Sequence, residues 1–454
     1  MQITRRRFFK GTAAFSMPLF GIGCASKGFV ARRPSPDAKL RLGLVGCGSR
    51  MVQGLVTATA GERIVAACDP DASRLDALRT RLAQLGRNDE IAGIRAFRDW
   101  REMLDSVGDE LDAVIVATPN HQHVRPAVAA MKLGIGVYLE KPMALTIEEV
   151  RVLCEAQRRY PVATQVGNQG HSNEGTRLLV EYVKSGMLGQ VHDVWFWDCR
   201  VNAFDLIPPL LPVPPSFDWD AWQGAALPQE FRAGIHLHDW HDWKIYGNGS
   251  IGNTGTHFFD PAFWALDLYG VSPVDVRLVE SRPGAAGSWN VRNTIEWNFP
   301  ARKGLDPVRF HWHDGLKDGI PMDEEHLGHW NNCRNREWQN VPPVVEELEK
   351  RHGVNLGKDG FLIVGEKGAI RLGSGGDGVV LVPGSLRKEL GRPPRLIPRE
   401  RRFTHMSDLS VLFVANARPG ADSRLHLRWR NRCCSAAWRY MPAAGDWSGM
   451  AGKS

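Results

Sequence analysis

No run of apolar residues in this 454-residue sequence reaches the roughly 18 that a membrane-spanning helix needs, so none is expected. No Cys-x-x-Cys pair occurs among the eight cysteines (24, 47, 68, 154, 199, 333, 433 and 434), and their spacing is irregular. Neither a zinc site nor a disulfide framework is therefore expected. Cys47 and Cys68 fall in apolar strand ends, where a buried small thiol is the ordinary occupant. No internal repeat is visible. What is present is a globular composition, 43% hydrophobic and 24% charged, with length for two or three domains.

The formal charge of +7 is confined to the ends. Residues 1–33 carry seven basic groups and no acidic one; residues 409–454 carry seven against Asp422 and Asp446, which leaves the body at −5. A nucleic-acid partner is not implied. The first stretch, Thr4-Arg5-Arg6-Arg7-Phe8-Phe9-Lys10 followed by apolar Ala13 to Ile22, has the layout of a twin-arginine export signal. The expected location is the periplasm or the outer face of the inner membrane. Cys24 is either a lipid-attachment cysteine or a small residue near a cleavage point.

From Leu40 the pattern is strand, glycine turn, helix, strand. Leu40–Val45 reads as a buried strand, Arg63–Cys68 as a second, Ala113–Thr118 as a third and Ile135–Leu139 as a fourth, with helices near 71–85, 98–105, 121–133 and 146–158. Alternation of this kind builds a parallel sheet covered on both faces. In the first turn, Gly46 permits the tight bend and Gly48 leaves room for a pyrophosphate at a helix N-terminus, beside Ser49 and Arg50. Asp69 closes the next strand where an acidic group accepts from an adenosine ribose, which favours NAD over NADP. The third glycine of the fingerprint is replaced by Met51.

Two further strand ends carry Ala117-Thr118-Pro119-Asn120-His121-Gln122-His123 and Glu140-Lys141-Pro142. With Gly46-Cys47-Gly48, the segment Asp218–Gly224 and the run Gly247–His257, they resemble the Gfo/Idh/MocA family of NAD(P)-dependent oxidoreductases over residues 40 to 385. The resemblance implies a Rossmann domain (38–162) followed by an α/β substrate and oligomerisation domain (163–405) with a large, open, mostly antiparallel sheet. It also implies a homo-oligomer, a sugar or cyclitol substrate, and a nicotinamide lying between the domains. Thr118, Pro119, Asn120, His123 and Glu140 join Gly46, Gly48, Ser49, Arg50 and Asp69 as expected cofactor contacts.

By the same resemblance Lys141 is catalytic and polarises a substrate hydroxyl, and His257 is the acid/base histidine. The residues agree independently. A lysine at the carboxyl end of a parallel strand sits in the ligand crevice, and burial lowers its pKa. Neutral imidazole accepts a hydroxyl proton near pH 7. Many relatives carry Asp four residues before this histidine; here it is Asn253, which binds a hydroxyl but cannot take its proton. Asp260 either orients His257 or caps a following helix. Asn168 and His171 are expected to line the cleft.

His236, His238 and His241, interleaved with Asp239, Trp240 and Asp242, suit a sugar surface, a metal site or a surface loop. Trp240, His241 and Asn253 are assigned to substrate and no metal is assigned. Gly360 to Leu372 reads as a hairpin. The prolines from Pro208 to Pro215 mark an extended excursion, and residues 406–454 form an atypical basic tail, either a frameshifted or divergent end or a disordered segment. Three functions fit: a dehydrogenase or reductase of carbohydrate hydroxyls, a glycosidase that recycles its NAD, and a non-catalytic NAD- or sugar-binding protein.

Overall fold

The computed structural model describes residues 38–399, apart from 237, 324, 327–330, 377 and 398. The leader, Cys24 and the basic tail lie outside the described residues.

The first sheet has six parallel strands in the order β3-β2-β1-β4-β5-β6. They span Arg41–Val45 (β1), Arg63–Cys68 (β2), Arg95–Phe97 (β3), Ala113–Val116 (β4), Gly136–Glu140 (β5) and Thr164–Gly167 (β6). The β4 tetrad Ala-Val-Ile-Val is buried throughout because helices cover both faces. Three of those helices start on side-chain caps. Asp71 and Asp99 accept from Ser73 and Arg101, and Thr146 with Glu149 forms a reciprocal capping box. The strand order reverses between β1 and β4, which opens a crevice at their carboxyl ends.

Two features of this half differ from the sequence reading. β3 was not expected, because its three residues, exposed or half-buried at the sheet edge, form no apolar run. β6 adds to the first sheet beyond the expected boundary at 162; its Thr-Gln-Val-Gly lacks the apolar run that marks its neighbours.

The second sheet runs β13-β12-β11-β7-β10-β9-β8. Its strands are Val191–Asp198 (β7), Asp275–Pro283 (β8), Asn290–Phe299 (β9), Val308–Gly315 (β10), Gly360–Gly365 (β11), Gly368–Leu372 (β12) and Val380–Val382 (β13). Only β7 and β10 pair in parallel; the expected hairpin is β11–β12. Alternation sorts the side chains. Val194, Phe196, Phe310 and Trp312 face the helices Glu174–Lys184 and Gly249–Ala265, while Asp193, Trp195, Arg309 and His311 face the other way. Each fully buried aromatic of that core stabilises by roughly 1.5–3 kcal/mol.

A third cluster, with Phe204, Phe217, Trp219, Trp222, Trp243 and Tyr246, holds the proline-rich excursion together. The excursion also pairs with itself, Leu211 donating to Phe231 and Arg232 to Pro208.

One disulfide, Cys199–Cys333, corrects the expectation drawn from cysteine spacing. It joins the end of β7 to a loop 134 residues on, a separation at which no spacing rule speaks.

Candidate functional site

The first turn is built as its glycines require. Gly46 has φ +85°, and a Cβ there would lie 2.7 Å from the Ala117 carbonyl oxygen. Gly48 has nothing within 4 Å of its Cβ position and faces a cavity of about 350 Å³. Met51, where the fingerprint has glycine, is fully buried and fills the helix–sheet contact with its side chain. Ser49, Arg50, Asp69, Thr118, Pro119 and Asn120 line the same cavity, as do His123, Glu140 and Lys141.

Asp69 accepts from the Cys47 amide at 2.7 Å and the Asp71 amide at 2.9 Å, and burial pushes its carboxyl up to about 6. The Thr118 hydroxyl is buried with no hydrogen-bond partner in the protein. An open glycine cradle, a carboxylate after β2 and an orphaned hydroxyl on one wall fit a dinucleotide. Glu140 accepts from Arg50 at 3.0 Å and from Gln169 at 2.8 Å, tying the turn to β5. His123 lines the cavity but places its ring nitrogens on the Thr118 and Pro142 carbonyls, at 2.8 and 2.7 Å.

Lys141 reaches across the crevice. Its Nζ donates to the Asn253 side-chain oxygen at 2.8 Å and to the Asn253 carbonyl at 2.9 Å. Burial lowers the amine to about 8, against a partial opposing pull from Glu140. Asn253 and His257 lie one turn apart on the helix Gly249–Ala265. That helix starts eight residues before His257, where the sequence suggested a helix start, because its glycines and Pro261 hide the helical period.

Asp260 neither touches His257 nor caps a helix. It accepts from Asn168 Nδ2 at 3.0 Å and pairs with His171 Nδ1 at 2.7 Å. Asn168 Oδ1 in turn lies 3.1 Å from His257 Nδ1. The carboxylate thereby orients the amide, the amide oxygen takes the Nδ1 proton, and Nε2 is left as the acceptor nitrogen. Burial first, then Lys141, holds His257 well below its ordinary range, so the ring is neutral near pH 7. Asn168, His171, Asn253 and His257 are not among the residues that line this cavity, although Asn253 holds Lys141, which is; His171 stacks on Trp264 at 4.3 Å.

Across the cavity, Ala221, Trp222, His236, His238, Trp240 and His241 form the opposite wall. The histidines turn to separate neighbours. His236 pairs with Asp71 at 2.9 Å, His238 lies 3.3 Å from Asp239, and His241 packs on Trp240 at 3.6 Å. Among the described residues the one trio with metal-ligand spacing is Asp198, Cys199 and Asp359. Cys199 there is in the disulfide, and Arg200 bridges the two carboxylates at 2.7 and 2.8 Å.

Sequence reasoning missed Asn202, its bond to Asp242 of the histidine cluster, and the docking of Gln122 and His121 onto the Trp222 carbonyl. The motif Asn120-His121-Gln122 was visible, but its partners lie about 100 residues away.

Residues 40–168 match the model of an oxidoreductase family with an NAD-binding Rossmann fold, Gfo/Idh/MocA. The match places the family's NAD-binding Rossmann domain at residues 40–168 of this chain. The rhizopine catabolism protein MocA of Rhizobium meliloti is 28% identical over 253 residues, 55% of this chain and 63% of that protein. Levoglucosan dehydrogenase of Pseudarthrobacter phenanthrenivorans is 25% identical over 198 residues, 43% of each chain. A glycosyl hydrolase family 109 protein of Parabacteroides distasonis is 33% identical over 162 residues, 33% of this chain and 34% of that protein. The matches thus span less than two thirds of these relatives. The two-domain fold recurs in aldose-aldose oxidoreductase from Caulobacter crescentus, with TM-score 0.52, 17% identity, and coverage of 87% of this chain and 98% of that one.

Proposed function

We propose that this chain is an exported NAD-dependent oxidoreductase acting on a carbohydrate or cyclitol hydroxyl. One observation carries the reading: the half-buried Lys141 ammonium sits on the wall of the dinucleotide cavity and is held by Asn253 from the second domain. Bound NAD supplies the hydride acceptor. Lys141 Nζ donates to the substrate oxygen and stabilises the negative charge that grows there as hydrogen leaves the carbon. His257 Nε2 takes the hydroxyl proton, its tautomer set through Asn168 and Asp260. Trp240 and His241 offer an aromatic face to the sugar. The levoglucosan dehydrogenase relative supports this substrate class, and Asp69 supports NAD over NADP.

Export is supported by the twin-arginine sequence and by the Cys199–Cys333 disulfide, a bond that persists in oxidising compartments. In the same reading Cys24 is a candidate lipid anchor, and the protein is a homo-oligomer joined through its second sheet. Exposed Leu278 and Val279 on β8 support the latter.

A second reading, the NAD-recycling glycosidase, is favoured by the glycosyl hydrolase relative and by the excursion. The excursion grips the first domain at Asp71 and at Gln122 and walls in the cofactor cavity. The two separate in one assay. With NAD and free sugars or cyclitols, the oxidoreductase accumulates NADH. The glycosidase instead cleaves aryl glycosides with none accumulating. Neither activity in a protein that binds NAD would overturn both.

A further inference from the structure

Asn253 carries no charge, and the structure links its amide to a carboxylate through a second amide. Asn253 Nδ2 donates to Asn202 Oδ1 at 3.4 Å, and Asn202 Nδ2 donates to Asp242 Oδ1 at 3.1 Å. Asp242, Asn202 and Asn253 are all buried, and Asn202 is fixed further by its backbone amide on Ser250 Oγ at 3.1 Å. An amide has one accepting end and one donating end. Each link therefore sets the orientation of the next. With Asp242 accepting from Asn202, the Asn202 oxygen must face Asn253, and the Asn253 oxygen must face Lys141 Nζ.

We propose that Asp242 is a positioning residue that, through Asn202 and Asn253, points an amide oxygen at Lys141 and holds its ammonium charged and in place. This rests on the reading of Lys141 as the group that acts on the substrate oxygen. Asp242 belongs to the segment whose His238, Trp240 and His241 line the cavity, so the chain of amides also couples that wall to the amine. Burial pushes the Asp242 carboxyl well above the usual range, as for a group that meets its neighbours mainly by hydrogen bonding. The charged and titratable groups that interact with Lys141 are Glu140, Arg50, Arg200, Asp198, His123 and His257. None of them sets the direction of the Asn253 amide.

The test is a carbon NMR titration of Lys141 Cε in the full chain, alongside turnover with NAD and a sugar substrate. In the wild type the midpoint is expected near about 8. In Asp242→Ala it falls by about one unit, so turnover falls about twofold at pH 7 and towards tenfold above pH 8, one pKa unit being a factor of ten. Asp242→Asn keeps an oxygen acceptor and restores both. Asn202→Ser, too short to join its neighbours, repeats the loss and covers the case in which Asp242→Ala does not fold. An unmoved Lys141 midpoint in variants that still bind NAD would overturn the proposal. A midpoint that moves while turnover does not would support the link and instead overturn the catalytic reading of Lys141.

Discussion

Lys141 Nζ lies 2.8 Å from Asn253 Oδ1, so the amine at the end of β5 is held by the helix of the other domain. The contact makes the amine part of both halves of the cleft. Lys141→Ala should lower turnover by about 100-fold or more while NAD binding persists, since that binding rests on the first turn and Asp69. Lys141→Arg should not rescue it, because a planar guanidinium cannot make both Asn253 contacts from the same point. Steady-state kinetics with a fluorescence binding titration checks both.

The pH profile follows from the direction of two shifts. Burial lowers Lys141 to about 8, so the charged amine is present below that pH and is lost as pH rises through it. His257 is held well below its ordinary range and stays neutral through pH 7. Turnover should therefore be flat near neutrality and fall above about 8. A rate that instead rises through this range would make the neutral amine the working form.

Asp69 sets a second limb. Its carboxyl is pushed up to about 6 by burial, and the ionised form accepts best from ribose hydroxyls. NAD affinity should weaken as pH falls below that value and be full above it. Asp69→Asn should flatten this dependence and narrow the preference against NADP, whose phosphate the carboxylate repels. Calorimetric titration with both dinucleotides at several pH values measures it.

Reduction of Cys199–Cys333 should cost roughly 2–5 kcal/mol of stability, because the bridge closes a long loop. Cys199 lies between Asp198 and Arg200, whose buried ion pairs also involve Asp359. Loosening this strand end should reach Asn202, and through it Lys141. Thermal melts of Cys199→Ser and Cys333→Ser, with turnover recorded alongside, read the two effects separately.

The legible parts of this sequence are those where one local rule dominates. Continuous apolar runs gave away β1, β2, β4 and β5, and the glycine turn with Asp69 located the dinucleotide crevice. β3 and β6 escaped because edge strands of three and four residues need no apolar run. The helix Gly249–Ala265 escaped because three glycines and Pro261 mask its period. Side-chain links between distant positions were beyond reach altogether. Asp71 and His236 are 165 residues apart, and Asn202 and Asp242 are 40 apart, so no spacing marks either pair. Asn253 looked like the loss of a carboxylate. In the fold it is one link of a chain that ends on Asp242.

The most direct test of the central claim is a single turnover with a sugar or cyclitol carrying deuterium on its carbinol carbon, followed by mass spectrometry of the nicotinamide. The account predicts deuterium on the cofactor with wild-type protein and almost none with Lys141→Ala or His257→Ala at equal NAD occupancy. Deuterium transferred equally by all three proteins, or by none across a panel of sugars and cyclitols, would contradict it.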